Sequence, residues 1–173
     1  MVANSDSHRA EVPLHGERAV VRPATPDDVD MLVRWHADPE VAPYWDGKLY
    51  SHEQMLARLA RPHVHAYIVE LDGEPVGYLQ AWFGETDGVG GLDMLLIAAA
   101  RGSGVGPDAA RTLARYLLGQ GGRQRVTVDP YLWNARAVRG WQKAGFRPVE
   151  EREPDHEHLH RWLLMEFDPA SES

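Results

Sequence analysis

The chain has 173 residues, a formal net charge of −8, no cysteine and an ordinary apolar content of 43%. That length suits one domain with a core large enough to fold alone, and the missing thiols exclude disulfides, thiolate nucleophiles and Cys-bearing zinc sites. The acidic balance argues against a nucleic-acid binder and is compatible with a cationic substrate, and no stretch is long or apolar enough to span a membrane.

Residues 1–17 are polar and aperiodic and read as a flexible tail. The start lacks the charged opening and apolar run of a secretory leader, so a soluble, cytoplasmic protein is expected. Residues 18–168 form the expected domain, and residues 169–173 a short C-terminal tail. Arg18 to Arg22 reads as a strand. Thr25 caps the next helix, with Pro26 at its first position. That helix buries Val29, Leu32, Val33 and either Trp35 or His36, and ends near Asp38-Pro39 because a proline disfavours helix at the residue before it. Val41 to Leu49 carries Tyr44, Trp45 and Asp46 without a regular period, as a packed loop or a substrate lid. Ser51 caps a second helix with Met55, Leu56 and Leu59 inward. His65 to Leu71 and Glu74 to Phe83 are strands joined by Asp72-Gly73, a strong hairpin signal. Tyr78 and Gln80 share one face of the second strand, within reach of a ligand or at a solvent edge.

The stretch from Gly90 to Leu118 carries the most chemistry. An apolar run from Leu92 to Ala99 holds one carboxylate, Asp93. Arg101-Gly102-Ser103-Gly104-Val105-Gly106 follows, then a helical pattern with Val105, Ala109, Leu113 and Leu117 on one face. Strand, glycine loop and helix together aim backbone N–H groups at a phosphate. No Lys-Ser or Lys-Thr follows the last glycine, so this is not a Walker A loop. Pro107 stands where the third glycine of a dinucleotide fingerprint would be. A pyrophosphate loop opened by an arginine, or a plain strand-to-helix turn, remains.

Gly119 to Gly122 ends the central helix. Arg125 to Val128 is the next strand, closing on Asp129-Pro130. Asn134 caps a helix with Ala135, Val138 and Trp141 inward, and Gly145 ends it. Phe146 to Val149 and Leu159 to Phe167 are the last strands, with an acidic turn from Glu150 to Glu157 between them. His156, His158 and His160 alternate, so a strand would put them on one face, as surface histidines or a metal site; no metal is expected. The order is that of a mixed α/β sheet.

Arg101-x-x-Gly104-x-Gly106 after an apolar strand resembles the acetyl-CoA pyrophosphate motif of the GNAT superfamily of N-acetyltransferases. Leu71 to Gln80, Gly91-Leu92-Asp93, Val128-Asp129-Pro130, Asn134 to Arg139 and Lys143-Ala144-Gly145-Phe146 resemble the aminoglycoside 6′-N-acetyltransferases. They resemble the siderophore-lysine acetyltransferases nearly as well. The resemblance covers about Arg18 to Phe167. It implies a mixed, mostly antiparallel sheet with splayed central strands flanked by helices, and acetyl-CoA as co-substrate. It also implies roles. The amides from Gly102 to Gly106, with Arg101, would cradle the pyrophosphate, so Ser103 and Val105 join the glycines. Strand backbone at Leu95, Leu96 and Ile97 would bind the amide-bearing arm like an added strand. Asn134 matches a cofactor contact, although capping alone explains it.

Acetyl transfer to an amine needs a base, because an alkyl ammonium of pKa ~10.4 is neutral in only about one molecule per few thousand at pH 7. An aspartate inside Leu-Asp-Met-Leu-Leu-Ile is costly unless paired or lining a polar cleft. Asp93 matches the acid that binds the acceptor amine and assists deprotonation; a structural pairing with an arginine is the plainer account. Trp45, Asp46, Tyr78, Gln80 and Asp129 are the expected acceptor contacts, and a strand-end Asp-Pro turn is the simpler reading of Asp129. Many family members place a tyrosine five residues before Phe146 as general acid. This chain has Trp141, whose indole supplies no proton at useful pH. The expected partner is a small polyamine-type molecule, an aminoglycoside first, with no nucleic acid and no membrane, and the chain a monomer or homodimer. A siderophore precursor is the rival acceptor, and a non-catalytic acyl-CoA or aminoglycoside binder the rival class. An acidic cluster of Asp46, Glu85, Asp87, Asp93 and Asp129 favours a polycation if these residues converge.

Overall fold

The computed structural model describes residues 10–84 and 88–171. Among these described residues there are eight strands and four α-helices, and the strands form one sheet in the order β1-β2-β3-β4-β5-β6-β8-β7. They are β1 (Leu14–His15), β2 (Ala19–Pro23), β3 (Val64–Leu71), β4 (Glu74–Phe83), β5 (Val89–Leu96), β6 (Arg125–Val128), β7 (Phe146–Arg152) and β8 (Trp162–Phe167). Four α-helices accompany them: α1 (Val29–Ala37), α2 (His52–Leu59), α3 (Val105–Leu118) and α4 (Ala135–Ala144). Every neighbouring pair is antiparallel except β5–β6.

Helices lie against both faces of the sheet. Val105, Ala109, Leu113 and Leu117 are fully buried and pack α3 onto a core with Leu79, Leu92 and Val126. Leu32 of α1 and Met55 of α2 bury into a second cluster with Ile68, Tyr78 and Leu95. Each fully buried aliphatic side chain contributes about 1.5–3 kcal/mol, so these two faces fix which strand surfaces remain for a ligand. Among the described residues no helix is long and apolar enough to cross a membrane.

The sheet opens in its middle. β5 pairs with β4 from Gly90 to Leu96, but with β6 only over Val89–Gly91 against Arg125–Thr127. Beyond Gly91 and Thr127 the two strands part, which is the splay that the resemblance implied. A Cβ on Gly91 would lie 2.0 Å from the Trp82 ring, so a side chain cannot stand where the splay begins.

Five local expectations change. The stretch read as a tail up to residue 17 carries β1, paired Leu14↔Val21 and His15↔Val20. Buried Asp108 of α3 holds it by accepting the N–H groups of Glu17, Arg18 and Ala19 at 3.1, 2.8 and 2.8 Å. Gly16 is needed there, because a Cβ would come within 2.5 Å of that carboxylate. Leu56, read as inward, is 40% exposed, since α2 is only two turns long and Met55 and Leu59 take the inner side. Ala135 is exposed at the first position of α4. Part of the aperiodic lid segment forms a 3₁₀ turn, Ala42–Trp45. Finally, β7 runs on to Arg152, with Glu150, Glu151 and Arg152 opposite Leu164, Leu163 and Trp162. Charged residues suit such an edge strand. The loop to β8 therefore starts later, and His156, His158 and His160 lie in it rather than on a strand.

Candidate active site

A cleft of about 730 Å³ runs along the parted strands. Met94, Leu95 and Leu96 form its floor, Gly102, Gly104, Gly106 and Pro107 one wall, and Asn134 to Lys143 of α4 the other. Gly102 and Gly104 take left-handed φ values of 78° and 84°, which L side chains avoid. Gly106 lets the helix start sit close to β5, since a Cβ there would lie 2.7 Å from Leu96 Cδ1 and push that side chain aside. The loop thereby brings the N-terminus of α3, with its positive dipole end, against the cleft. Arg136, Arg139 and Lys143 line the facing wall of α4. Sequence reading missed these three cations, although their spacing of three and four residues places them on one helix face.

The expected cofactor residues divide. Leu95, Leu96, Arg101, Gly102, Gly104, Gly106 and Asn134 line the cleft. Asn134 also caps α4, its Oδ1 accepting the Ala137 N–H at 3.2 Å. Ile97 spends its N–H on the Val76 carbonyl at 3.0 Å. Ser103 shapes the loop, donating its hydroxyl to Ala100 O at 2.6 Å and accepting the Val105 N–H at 3.3 Å. The Val105 side chain is buried in the core. Arg101 donates to Glu40 O at 2.7 Å and lies over the Tyr44 ring, joining the glycine loop to the 3₁₀ turn. Glycine loop, helix terminus and three cations fit a long ligand bearing a pyrophosphate.

Asp93 follows at the far end, one residue before Met94. Register places Asp93 opposite Gln80, whose Nε2 donates to Asp93 Oδ2 at 2.8 Å. Gln80 is fixed from behind: its Oε1 accepts the Tyr78 hydroxyl at 2.8 Å and Arg58 at 3.3 Å. Tyr78 is buried and stands behind Gln80 rather than on the wall; burial pushes its hydroxyl up to about 12. Arg58 was missed by sequence reading, since only the packing of α2 on β4 brings it there. Asp93 is half-buried and enclosed by protein atoms, one residue short of the cleft floor that begins at Met94. Burial first, and then the Asp129 charge, raise its carboxyl to about 6. Gly91 and Thr127 are register partners, and Asp93 and Asp129 each lie two residues beyond them. By the two-residue period both acids fall on one side of the sheet, facing each other across the gap.

A strap crosses the mouth. Asp46, left-handed at φ 55°, accepts the Tyr131 hydroxyl at 3.1 Å. Tyr44 stacks on Trp133 at 5.7 Å, and Trp133 on Tyr131 at 6.0 Å. Trp45 turns inward against His36 and Tyr78, at 5.1 and 6.0 Å. Burial raises the Tyr131 hydroxyl, with Asp46 and Asp129 both adding to the rise, so three of the five expected acids gather around this mouth. Glu85 and Asp87 lie outside the described residues. Asp129 binds His158 Nε2 at 2.7 Å, a partnership no local signal announced. Trp141 is buried against Phe146 and lines the cleft, with no hydroxyl to offer. Among the described residues no group of three or more His, Cys, Asp or Glu is arranged to hold a metal.

Residues 24–154 match the family model described as acetyltransferase (GNAT) domain. The chain is 34% identical over 149 residues to aminoglycoside N(6′)-acetyltransferase type 1 of Klebsiella pneumoniae, covering 75% of this chain and 74% of that one. It is 29% identical to the N-hydroxyputrescine acetyltransferase of Acinetobacter baumannii, over 61% of this chain and 57% of that one. Among solved structures, AAC(6′)-Ib in complex with paromomycin and acetyl-CoA superposes with a TM-score of 0.76 at 28% identity, covering 87% of this chain and 93% of that one. The same protein with coenzyme A and kanamycin gives 0.74 at 28% identity, over 86% and 93%.

Proposed function

The chain belongs to the acetyltransferase (GNAT) family and is an acetyl-CoA-dependent N-acetyltransferase; from that premise we propose that its acceptor is the 6′-amine of an aminoglycoside. The observation that carries the proposal is the pair Asp93 and Asp129 at the end of the glycine-loop cleft. Two carboxylates facing one gap suit a polycation better than a neutral acceptor. Bound acetyl-CoA supplies the acetyl group as a thioester. The chain's own residues do the rest. The α3 terminus and the α4 cations hold the phosphates, and Asp129 and Asp46 attract the ammonium groups. Asp93, its carboxyl raised to about 6, takes a proton from the ammonium and so frees the nitrogen lone pair that then attacks the thioester carbonyl. Gln80 keeps that carboxylate aimed. Trp141 gives no proton to the departing thiolate, whose low basicity lets it leave unassisted.

The test is thiol release from acetyl-CoA against kanamycin, N6-hydroxylysine, hydroxyputrescine and a lysine peptide. Kanamycin is expected to turn over best, and Asp93→Asn to remove that turnover. Preference for a hydroxylamine acceptor would replace the aminoglycoside reading with the siderophore one.

A further inference from the structure

Behind Asp129 stands an assembly that acetyl transfer does not by itself require. His158 lies in the loop between β7 and β8, yet its side chain is only 11% exposed. Its Nε2 meets Asp129 Oδ2 at 2.7 Å and its Nδ1 meets Asp155 Oδ1 at 2.9 Å. The ring lies flat on Trp162, with centroids 4.0 Å apart and planes 12° from parallel. Asp155 is fixed in turn by the N–H groups of Glu157 and His158, at 2.8 and 2.9 Å. Both ring nitrogens and one ring face are thus committed. A solvated surface histidine needs none of this.

We propose that His158 is a positioning residue for the acceptor amine: it holds the Asp129 carboxylate in the gap and sets how much negative charge the amine meets there. The inference rests on the reading above that Asp129 faces the acceptor.

Burial alone would push the imidazole down, but its hydrogen bonds to the Asp129 and Asp155 carboxylates outweigh it and hold it above the ordinary histidine value. Asp93 of β5 adds its charge from across the gap. The remaining neighbours change little. Tyr131 presents a ring edge at 6.4 Å, Trp162 is neutral, and Arg152 of β7 lies over the Trp162 ring at 5.3 Å while paired with Glu150. His160 touches Tyr131 rather than His158. Below the raised imidazole value His158 is an imidazolium that cancels the Asp129 charge. As pH rises through that value the proton leaves, Asp129 regains its full charge, and an ammonium acceptor binds more tightly. Acetyl-CoA, held by the glycine loop and α4, is not affected.

The test uses the full chain. The His158 ring is titrated by NMR in the wild type, Asp129→Asn and Asp155→Asn. The KM for kanamycin, the KM for acetyl-CoA and kcat are measured against pH in the same proteins and in His158→Gln and His158→Ala. Asp155→Asn is expected to lower the His158 titration and to carry the kanamycin KM transition down with it, leaving the acid limb of kcat in place. His158→Gln keeps one donor for Asp129 and is expected to abolish the KM transition. Above the His158 titration, where the wild-type ring is neutral and only its positioning of Asp129 is lost, His158→Ala is expected to raise the kanamycin KM about tenfold while the acetyl-CoA KM stays within about twofold. A merely structural histidine would move none of these pH profiles. A His158 titration unaltered by Asp129→Asn, or a KM transition unmoved when that titration shifts, overturns the inference alone. If the wild type acetylates no amine in the panel, the functional reading falls and takes this one with it.

Discussion

At the glycine-loop end of the cleft, the groups that face a ligand are backbone amides and cations on helix α4. At the other end they are carboxylates half enclosed by protein. The first end is made by the fold itself: the left-handed φ of Gly102 and Gly104, and the seating of Gly106 on Leu96, build the loop and the proposed phosphate cradle in one act. The second end works against the fold. Asp93 sits where burial raises its carboxyl to about 6, so its charged form is held at a cost. The same cleft thus joins a region where function and stability coincide to one where they oppose each other.

Asp93→Asn tests this contrast most severely. It is expected to lower kcat by about 10²–10⁴-fold with the acetyl-CoA KM unchanged. It is also expected to raise thermal stability at neutral pH. The carboxyl value is higher in the folded chain, about 6, than the ordinary aspartate value of about 3.9. Its contribution to stability is therefore full below the unfolded value and is lost as pH rises through the folded one. Removing the charge recovers up to about 3 kcal/mol, readable as a higher Tm at pH 7 that vanishes below pH about 4. A lower Tm would show that Asp93 is a structural partner.

Gly104→Ala probes the other end and is expected to do the reverse. A side chain at φ 84° costs about 1–2 kcal/mol of stability. The acetyl-CoA KM rises about tenfold as the amides shift, with the acceptor KM unchanged. Gln80→Leu follows in size. The Gln80 hydrogen bond lowers the Asp93 value, so its loss moves the acid limb of kcat upward from about 6. A pH–rate profile decides this, and an unmoved limb would mean that another group controls it. Tyr131→Phe is the smallest change. It frees Asp46 and removes the acceptor of the Leu159 N–H, altering the acceptor KM by no more than about fivefold.

How far each end could be read from the chain follows the same division. The glycine loop, the buried stripe Val105, Ala109, Leu113 and Leu117, and the Asp72-Gly73 hairpin are local patterns, and local geometry makes them. Asp93 stood out because a carboxylate in an apolar strand is anomalous on its own. The partners that complete the acceptor end left no such mark. Arg58 lies 22 residues from Gln80, His158 lies 29 from Asp129, and Tyr131 lies 85 from Asp46. Only the packing of α2 on β4, and of the β7–β8 loop on the end of β6, brings them together. The histidines misled reading for a related reason: alternation suggested a strand, but β8 begins only at Trp162, and one of the three turns inward while its neighbours stay outside. At the N-terminus, Asp108 captures a segment whose own sequence has no period, so no pattern within residues 1–17 could reveal β1.

The early parting of β5 from β6 has one more consequence. Unpaired strand backbone is a hazard for most proteins, because another chain can pair with it and begin a fibre. Here the open rim lies not at the border of the sheet but inside it, between α3 and α4 and beneath the strap from Asp46 to Tyr131. The protein thereby places the hydrogen-bonding capacity of a sheet edge inside its sheet rather than at the border.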